Sequence, residues 1–274
     1  MSGRTYAEFF LLCSFAHLAH LPDAYVCISG ATGVALPQSE SCWLTQLARD
    51  AILCEASQSK GISAMSNLAS FCARYSQQTM QLPGGAEFSY RYYRNPVVRA
   101  TVVLLPGGIG LPDLFYLHFE RFAEHYSVIT FDYQEQFTTN AKFARAVASL
   151  LDGLDEHVWL VGQSLGGVIA QIVAKFHPER IEGLVLSNTC SLARDMGQEA
   201  RDELMSMVEN QRTWKRRLQL IPMPVFRRLM AWAVMRKTRD LSAEERRLMQ
   251  NLCDALQQLL NKQYQRHMWD CSIA

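Results

Sequence analysis

From Thr101 onward, short runs of consecutive apolar residues alternate with longer segments in which apolar residues recur at helical spacing. An apolar run without polar alternation is typical of a strand covered on both faces, as in a parallel sheet flanked by helices. Strands that alternate with helices of ten or more residues therefore predict an α/β fold. In chain order we expect strands at 101–105, 127–131, 158–161 and 183–187, and helices at about 113–125, 140–151 and 168–176.

The two ends of the chain have different patterns. Residues 1–82 show helical spacing near Ala64–Tyr75, and Pro83-Gly84-Gly85 marks a boundary before an alternating aromatic and polar strand at Glu87–Tyr93. We predict three parts: an N-terminal leader and helical extension (1–82), an α/β core (83–192) and a helical cap or lid (193–274). A helical insertion at that place would cover the carboxyl ends of the strands, where ligands bind, and an oligomerisation surface is the alternative.

Composition excludes several classes of protein. The chain has 274 residues and a net charge of +1, so it has no electrostatic footprint for nucleic acid. Its eight cysteines form no C-x-x-C pair and no cluster with histidine at ligand spacing, which indicates free thiols and no metal site. The apolar stretch Phe9–Leu21 is too short to cross a membrane. Glu8 beside it and the lack of a clear cleavage site favour a cytoplasmic protein, with organelle targeting or secretion as the alternative.

The most informative segment is Gly162-Gln163-Ser164-Leu165-Gly166, which joins the predicted strand at 158–161 to the helix that follows. The spacing G-x-S-x-G after a buried strand predicts a nucleophile elbow, in which the serine occupies a strained turn and the glycines make room for it. The alternative is an ordinary turn whose serine caps the next helix.

A second glycine-rich segment supplies candidate oxyanion donors. Pro106-Gly107-Gly108-Ile109-Gly110 follows the first buried strand and exposes backbone N–H groups at its carboxyl end. Acyl transfer at a serine needs such donors for the negative charge on the tetrahedral intermediate. We assign them to the N–H groups of Gly108 and Leu165; a simple tight turn is the alternative, and a phosphate-binding loop is disfavoured because no Lys-Ser/Thr pair follows.

These motifs resemble the α/β-hydrolase superfamily over about residues 85–190, through LLPGGIG, FDY and VGQSLGGVIAQIVAKFHPERIEGLVLSNT. SLGGVIAQ and LVLSNT are similar to its maspardin-like branch. The resemblance implies a sheet of about eight strands, a serine esterase, lipase, thioesterase or peptidase activity on a small acyl substrate, and no cofactor. Carried over, Ser164 matches the nucleophile and Gly108 and Leu165 match the oxyanion donors, while Pro106 stands where many members have histidine.

The acid and the base of a triad are harder to place. In this superfamily they follow strands beyond the cap, and no apolar strand follows Trp269. His267 is the remaining candidate base, although it extends an apolar helix stripe and is interpreted as a packing residue. Asp195 is the nearest candidate acid, and Asp132 is interpreted as part of a structural loop.

Two expectations follow from these missing positions. A serine without base and acid retains only oxyanion stabilisation and binding, so we expect weak or no turnover. The strand at 183–187 would also be an exposed sheet edge, although it has the composition of a central strand. The sequence therefore predicts a shortened hydrolase, a domain completed by a partner chain or a second copy, or a non-catalytic interaction protein of maspardin-like type.

Overall fold

The computed structural model shows an α/β fold, as predicted. It describes residues 68–98, 100–108, 112–154, 158–187, 189, 197–199, 201–202, 205–206, 208–210, 212, 220–237 and 243–261. The regular elements are, in chain order, α1 (Leu68–Arg74), β1 (Gln77–Gln81), β2 (Glu87–Tyr93), β3 (Thr101–Leu105), a 3₁₀ helix (Pro112–Phe115), α2 (Tyr116–Ala123), β4 (Ser127–Phe131), α3 (Asn140–Asp152), β5 (Val158–Gln163), α4 (Leu165–Phe176), a 3₁₀ helix (Pro178–Arg180), β6 (Ile181–Ser187), α5 (Met223–Lys237) and α6 (Ala243–Leu259). They fall into two compact units, with α1 to β6 within Asp23–Cys190 and α5 and α6 within Ser191–Ala274.

The first unit is built on a six-stranded sheet with the order β1-β2-β4-β3-β5-β6. β1, β2 and β4 pair antiparallel, whereas β4, β3, β5 and β6 are parallel. Leu105 at the end of β3 pairs with Gly162 near the end of β5. The carboxyl ends of the central strands therefore lie at one edge of the sheet, where ligands bind in open α/β sheets.

The two central strands β3 and β4 are buried along their whole length, which explains their continuous apolar composition. Polar side chains in this layer are paired: the Thr130 hydroxyl donates to the Leu104 carbonyl at 3.1 Å, and the Ser127 hydroxyl oxygen accepts from the Asn95 N–H at 3.0 Å. Buried hydroxyls without such partners would cost free energy of folding. The core thus tolerates a few hydroxyls in otherwise apolar strands.

The helix α3 shows how local sequence fixes the layer over the sheet. Its N-cap residue is Thr139, whose side chain accepts a hydrogen bond from the Lys142 N–H at 3.2 Å. Ala144, Val147 and Leu151, at spacings of three and four residues, are buried, so one face packs inward. Gly153 ends the helix close to the predicted position.

The segment before residue 87 differs from expectation at one point. Pro83-Gly84-Gly85 lies in the turn of a hairpin, in which β1 pairs with β2. Gly84 and Gly85 have φ values of 100° and 82°, and the Leu82 N–H donates to the Ala86 carbonyl at 2.8 Å. The sheet of the core therefore begins before the predicted boundary, and α1 confirms the helix expected near 64–75.

In the second unit, α5 and α6 pack against each other. Phe226 and Met230 lie one turn apart on α5 and are buried, as are Cys253 and Leu256 on α6. The Arg227 guanidinium donates to the Leu260 carbonyl at 2.8 Å and so satisfies a backbone acceptor near the end of α6. These helices were predicted, and their role as a cap remains a prediction.

Candidate active site

Ser164 lies between the last residue of β5 and the first residue of α4, with φ 52° and ψ −119°. It is the one non-glycine residue with positive φ among those that the structure describes. Such a conformation costs about 1–3 kcal/mol and persists only where the surroundings enforce it. Ser164 occupies the N-cap position of α4, but its side chain makes no capping hydrogen bond. The capping alternative is therefore wrong, and the turn has the geometry of an elbow.

The glycines around Ser164 provide space. A Cβ on Gly162 would lie 2.6 Å from the Gly166 carbonyl oxygen, and a Cβ on Gly166 would lie 2.6 Å from the Pro106 carbonyl oxygen and closer still to the Leu105 oxygen. A Cβ on Gly167 would lie 2.5 Å from the Thr189 Cγ2 atom. Real Cβ atoms do not approach this closely, so α4 can begin against the ends of β3 and β5 only with glycine here.

Backbone hydrogen bonds hold the elbow in place. The Ser164 N–H donates to the Ser187 carbonyl at 2.9 Å, and the Ser164 carbonyl accepts from the Gly167 N–H at 3.0 Å. Because Ser187 is the last residue of β6, the position of the elbow depends on the pairing of β5 with β6. The peptide bonds on both sides of Ser164 are thus fixed, which sustains its positive φ.

The glycine-rich loop after β3 lies against the elbow. Pro106, Gly107 and Gly108 are buried. A Cβ on Gly107 would lie 2.8 Å from the Gln163 Oε1 atom and 3.4 Å from the Ser164 Cβ atom. Leu165, the other predicted donor, is the first residue of α4, where backbone N–H groups have no partner within the helix. The three predicted site residues therefore belong to two adjoining segments.

One side chain holds this loop and an ion pair lies beyond it, and sequence reasoning singled out neither. The Tyr133 hydroxyl, just after β4, donates to the Pro106 carbonyl. Beyond the loop, Asp113 accepts from the Arg91 Nε at 2.8 Å and from its Nη2 at 3.0 Å. Burial opposes the charge on Arg91, but the hydrogen bond and charge of Asp113 outweigh it and raise the pKa of Arg91. The signals were present in FDY and in the one cationic residue of EFSYRYY.

Comparison with known proteins agrees with this geometry. A family model described as alpha/beta hydrolase fold matches residues 100–270, which is more than half of the chain. The chain belongs to the α/β-hydrolase family.

Two solved structures with low sequence identity to this chain share its fold at a TM-score of 0.50. MenH from S. aureus is 19% identical, with 67% of this chain and 69% of that chain covered and a TM-score of 0.50. A putative epoxide hydrolase from Pseudomonas aeruginosa is 14% identical, with 73% and 69% covered and a TM-score of 0.50. An alpha/beta hydrolase from Novosphingobium aromaticivorans is 22% identical, and the match spans 43% of its length and 41% of this chain with a TM-score of 0.35. The maspardin-like branch remains a prediction.

The described histidines of this α/β hydrolase lie away from the elbow or are not joined to it. His177 follows α4 at the end opposite Ser164, about 18 Å away for a helix of this length, and its Nδ1 lies 3.3 Å from Glu179 Oε1. His125 is 59% exposed beside Glu124. No hydrogen bond or ion pair joins either of them, or His118, to Ser164 within the described part of the chain.

His118 is chemically distinctive for another reason. It lies on α2, and its Nδ1 is buried with no hydrogen-bond partner among the described residues. Burial lowers the pKa of His118 to about 4, so the imidazole is neutral at pH 7. A group with that pKa is a poor general base near neutrality.

The predicted acids are accounted for as far as the structure describes them. Asp132 follows β4, and its Oδ2 accepts from the Gln77 Nε2 at 3.3 Å, on the side of β1. Asp195, His157 and His267 lie outside the described residues.

The described residues contain no group of three or more side chains that could hold a metal ion. None of the helices in the described ranges is long and apolar enough to cross a membrane.

Proposed function

We propose that the protein is a serine hydrolase that acts on an ester or a related acyl bond, with Ser164 as the nucleophile. The observation that carries this proposal is the backbone of Ser164, which is held at φ 52° between a strand and a helix without any capping role for its hydroxyl. Strain of this kind clusters at active sites because a less costly residue or conformation would otherwise be present. Ser164 is half-buried rather than enclosed, which is compatible with contact to a ligand.

In the proposed reaction, the Ser164 Oγ bonds to the acyl carbon while its proton passes to a base. The negative charge that develops on the carbonyl oxygen is stabilised by the N–H groups of Gly108 and Leu165. The bond to the alcohol then breaks, the alcohol takes up a proton, and water releases the acid from Ser164. The fold alone does not select this chemistry, since a putative epoxide hydrolase is among the structural neighbours. The serine at the elbow supports acyl transfer.

We propose further that turnover by this chain is slow. This is supported by the described histidines, none of which is joined to Ser164. With nucleophile and donors but no base, an enzyme of this kind retains about 10³–10⁴-fold acceleration over water. A reactive electrophile is therefore a better probe of Ser164 than a natural ester.

A fluorophosphonate tests this proposal. The Ser164 Oγ would bond to phosphorus, the P–F bond would break, fluoride would leave and the serine proton would pass to solvent. We expect slow labelling of the wild-type protein, none in Ser164→Ala, and unchanged labelling in Ser70→Ala, which alters an exposed serine of α1. Labelling that persists in Ser164→Ala, or none at millimolar probe, would refute Ser164 as nucleophile, and rapid labelling would refute the missing base.

The second candidate is a non-catalytic interaction protein that keeps the hydrolase fold as a binding platform. The unassigned base favours it, and so does β6, which is the last strand of the described sheet although Leu184 and Val185 on it are buried. A partner chain or a second copy would add a strand there. Sedimentation velocity over a dilution series tests self-association. Partners captured equally by wild-type and Ser164→Ala bait would support this candidate, and loss of all of them with the serine would count against it.

A further inference from the structure

The N–H group of Gly108 can stabilise an oxyanion only if its peptide plane is held in one orientation. The segment Pro106-Gly107-Gly108 has few side-chain contacts with which to fix its own backbone, because two of its three residues are glycines. Preorganised donors account for most of the effect of an oxyanion hole, and donors that reorient lose it. A group outside the loop must therefore fix it.

Tyr133 is placed to do this. Its hydroxyl donates to the carbonyl of Pro106, and its side chain is 3% exposed. Its ring packs edge-on against Phe143 of α3, with a centroid separation of 4.9 Å. Tyr133 also lies two residues after Phe131, the last residue of β4, and Thr130 of this strand pairs with Leu104 of β3. The phenol is therefore anchored by both the sheet and the helix layer.

The hydrogen bond acts on the donor through covalent geometry. The Pro106 carbonyl and the Gly107 N–H share one planar trans peptide, so fixing the carbonyl fixes that whole plane. Only the φ and ψ angles of Gly107 separate this plane from the one that carries the Gly108 N–H. Gly107 is buried, and the Gln163 Oε1 atom lies 2.8 Å from the place that a Cβ of Gly107 would occupy.

The same carbonyl oxygen also lies close to the elbow. A Cβ on Gly166 would lie 2.6 Å from the Pro106 carbonyl oxygen, so the atom that accepts from the Tyr133 hydroxyl is also near the first turn of α4. The loop and the nucleophile thus share a contact. A displacement of Pro106 would be felt at both segments.

We propose that Tyr133 is a positioning residue for oxyanion stabilisation, which it exerts through the Pro106 peptide. This inference rests on the proposed function of Ser164. Tyr133→Phe keeps the ring and removes the hydroxyl, leaving the Pro106 carbonyl without this donor. A shift of the donor weakens stabilisation of the transition state but leaves ground-state binding of the probe unchanged.

The test measures fluorophosphonate labelling of Ser164 over a range of probe concentrations, which separates the maximal rate of labelling from the concentration at half-maximal rate. We expect Tyr133→Phe to lower the maximal rate about tenfold and to leave the half-saturating concentration unchanged. Tyr116→Phe is the matched control, because Tyr116 is also buried in the first unit and lies on α2. Its maximal rate should equal that of the wild type.

A second variant keeps the test independent of general destabilisation. Tyr133→Leu removes the ring as well, so it should melt at a lower temperature than Tyr133→Phe while labelling no more slowly at a temperature where both are folded. Wild-type labelling at Ser164 with an equal maximal rate in Tyr133→Phe would overturn the role of Tyr133 alone. A maximal rate that falls in proportion to melting temperature across the three variants would do the same. Absence of Ser164 labelling in the wild type would overturn the proposed function and this inference with it.

Discussion

Replacing Ser164 by glycine should stabilise the protein relative to replacing it by alanine. The two variants both lack the hydroxyl, and they differ in whether residue 164 carries a Cβ. At φ 52° and ψ −119° the backbone matches the first central position of a type II′ turn, which glycine dominates. Alanine keeps the strain in this position, whereas glycine relieves it.

The size of the effect follows from two opposing contributions. Relief of the strain at a residue of this kind favours glycine by about 1–3 kcal/mol. The greater freedom of glycine in the unfolded chain disfavours it by about 0.5–1 kcal/mol. On mid-range values, the free energy of unfolding of Ser164→Gly should therefore exceed that of Ser164→Ala by about 1 kcal/mol. Each kcal/mol corresponds to about 2–4 °C in melting temperature.

Thermal and urea unfolding of the two variants provide the assay, and a second pair of variants provides the control. Ser149 lies in the interior of α3, where the backbone is helical. There Ser149→Gly should be less stable than Ser149→Ala by about 1 kcal/mol. The prediction is thus a reversal of sign between positions 164 and 149. If glycine is no better than alanine at position 164, the elbow is not strained and the main argument for Ser164 as a nucleophile fails.

Three further changes test other parts of the structure. Gly166→Ala places a Cβ 2.6 Å from the Pro106 carbonyl oxygen, so urea unfolding should show a loss of about 3 kcal/mol or more in stability. Gly197→Ala is the control, because nothing lies within 4 Å of its Cβ, and it should change the urea midpoint little. Burial holds the pKa of His118 near 4, below its ordinary 6.5. Because the unfolded state therefore takes up the proton first, acidification from pH 6.5 to 4 should destabilise the wild-type protein. His118→Phe should lose less stability over that range in urea titrations, and a pH profile identical to that of the wild type would contradict the assignment. Burial, with a smaller contribution from Asp254, raises the pKa of Cys253 to about 11. At pH 8, therefore, about one Cys253 thiol in a thousand is ionised. Peptide mapping after iodoacetamide treatment should find Cys253 unmodified until urea is added.

The central strands of the sheet could be predicted because each of them has its own signal in the local sequence. β3, β4 and β5 are continuous apolar runs, and only a strand buried on both faces requires that composition. β1 was missed because its sequence, QQTMQ, is polar and its side chains are mostly exposed. It is a strand because of its pairing with β2 and the glycine turn between them, and neither is a property of the five residues themselves.

The candidate site divides in the same way. Ser164, Gly108 and Leu165 lie in local motifs in which spacing alone suggests a role. The side-chain hydrogen bonds at the glycine-rich loop and just beyond it join distant parts of the chain. Tyr133 is separated from Pro106 by 27 positions, and Arg91 is separated from Asp113 by 22. Their contacts follow from the strand order, in which β4 lies beside β3 and β2 beside β4. A sequence without known topology gives no means of pairing them.

The contacts around the elbow each restrict a different part of its geometry. The contact of Gly166 with Leu105 and Pro106 sets how closely α4 approaches the sheet, and the hydrogen bond from Ser164 to Ser187 fixes the plane of the peptide before the serine. The segments that carry Ser164, Gly108 and Leu165 are therefore held by these contacts, to which no histidine and no acidic side chain contributes. Preorganisation and proton transfer then become separately measurable. Reaction of Ser164 with an electrophile reports the first, and turnover of an ester requires both. A chain that labels and does not turn over would be a hydrolase without an assigned base. A chain whose strained serine does not label would have no nucleophile at position 164.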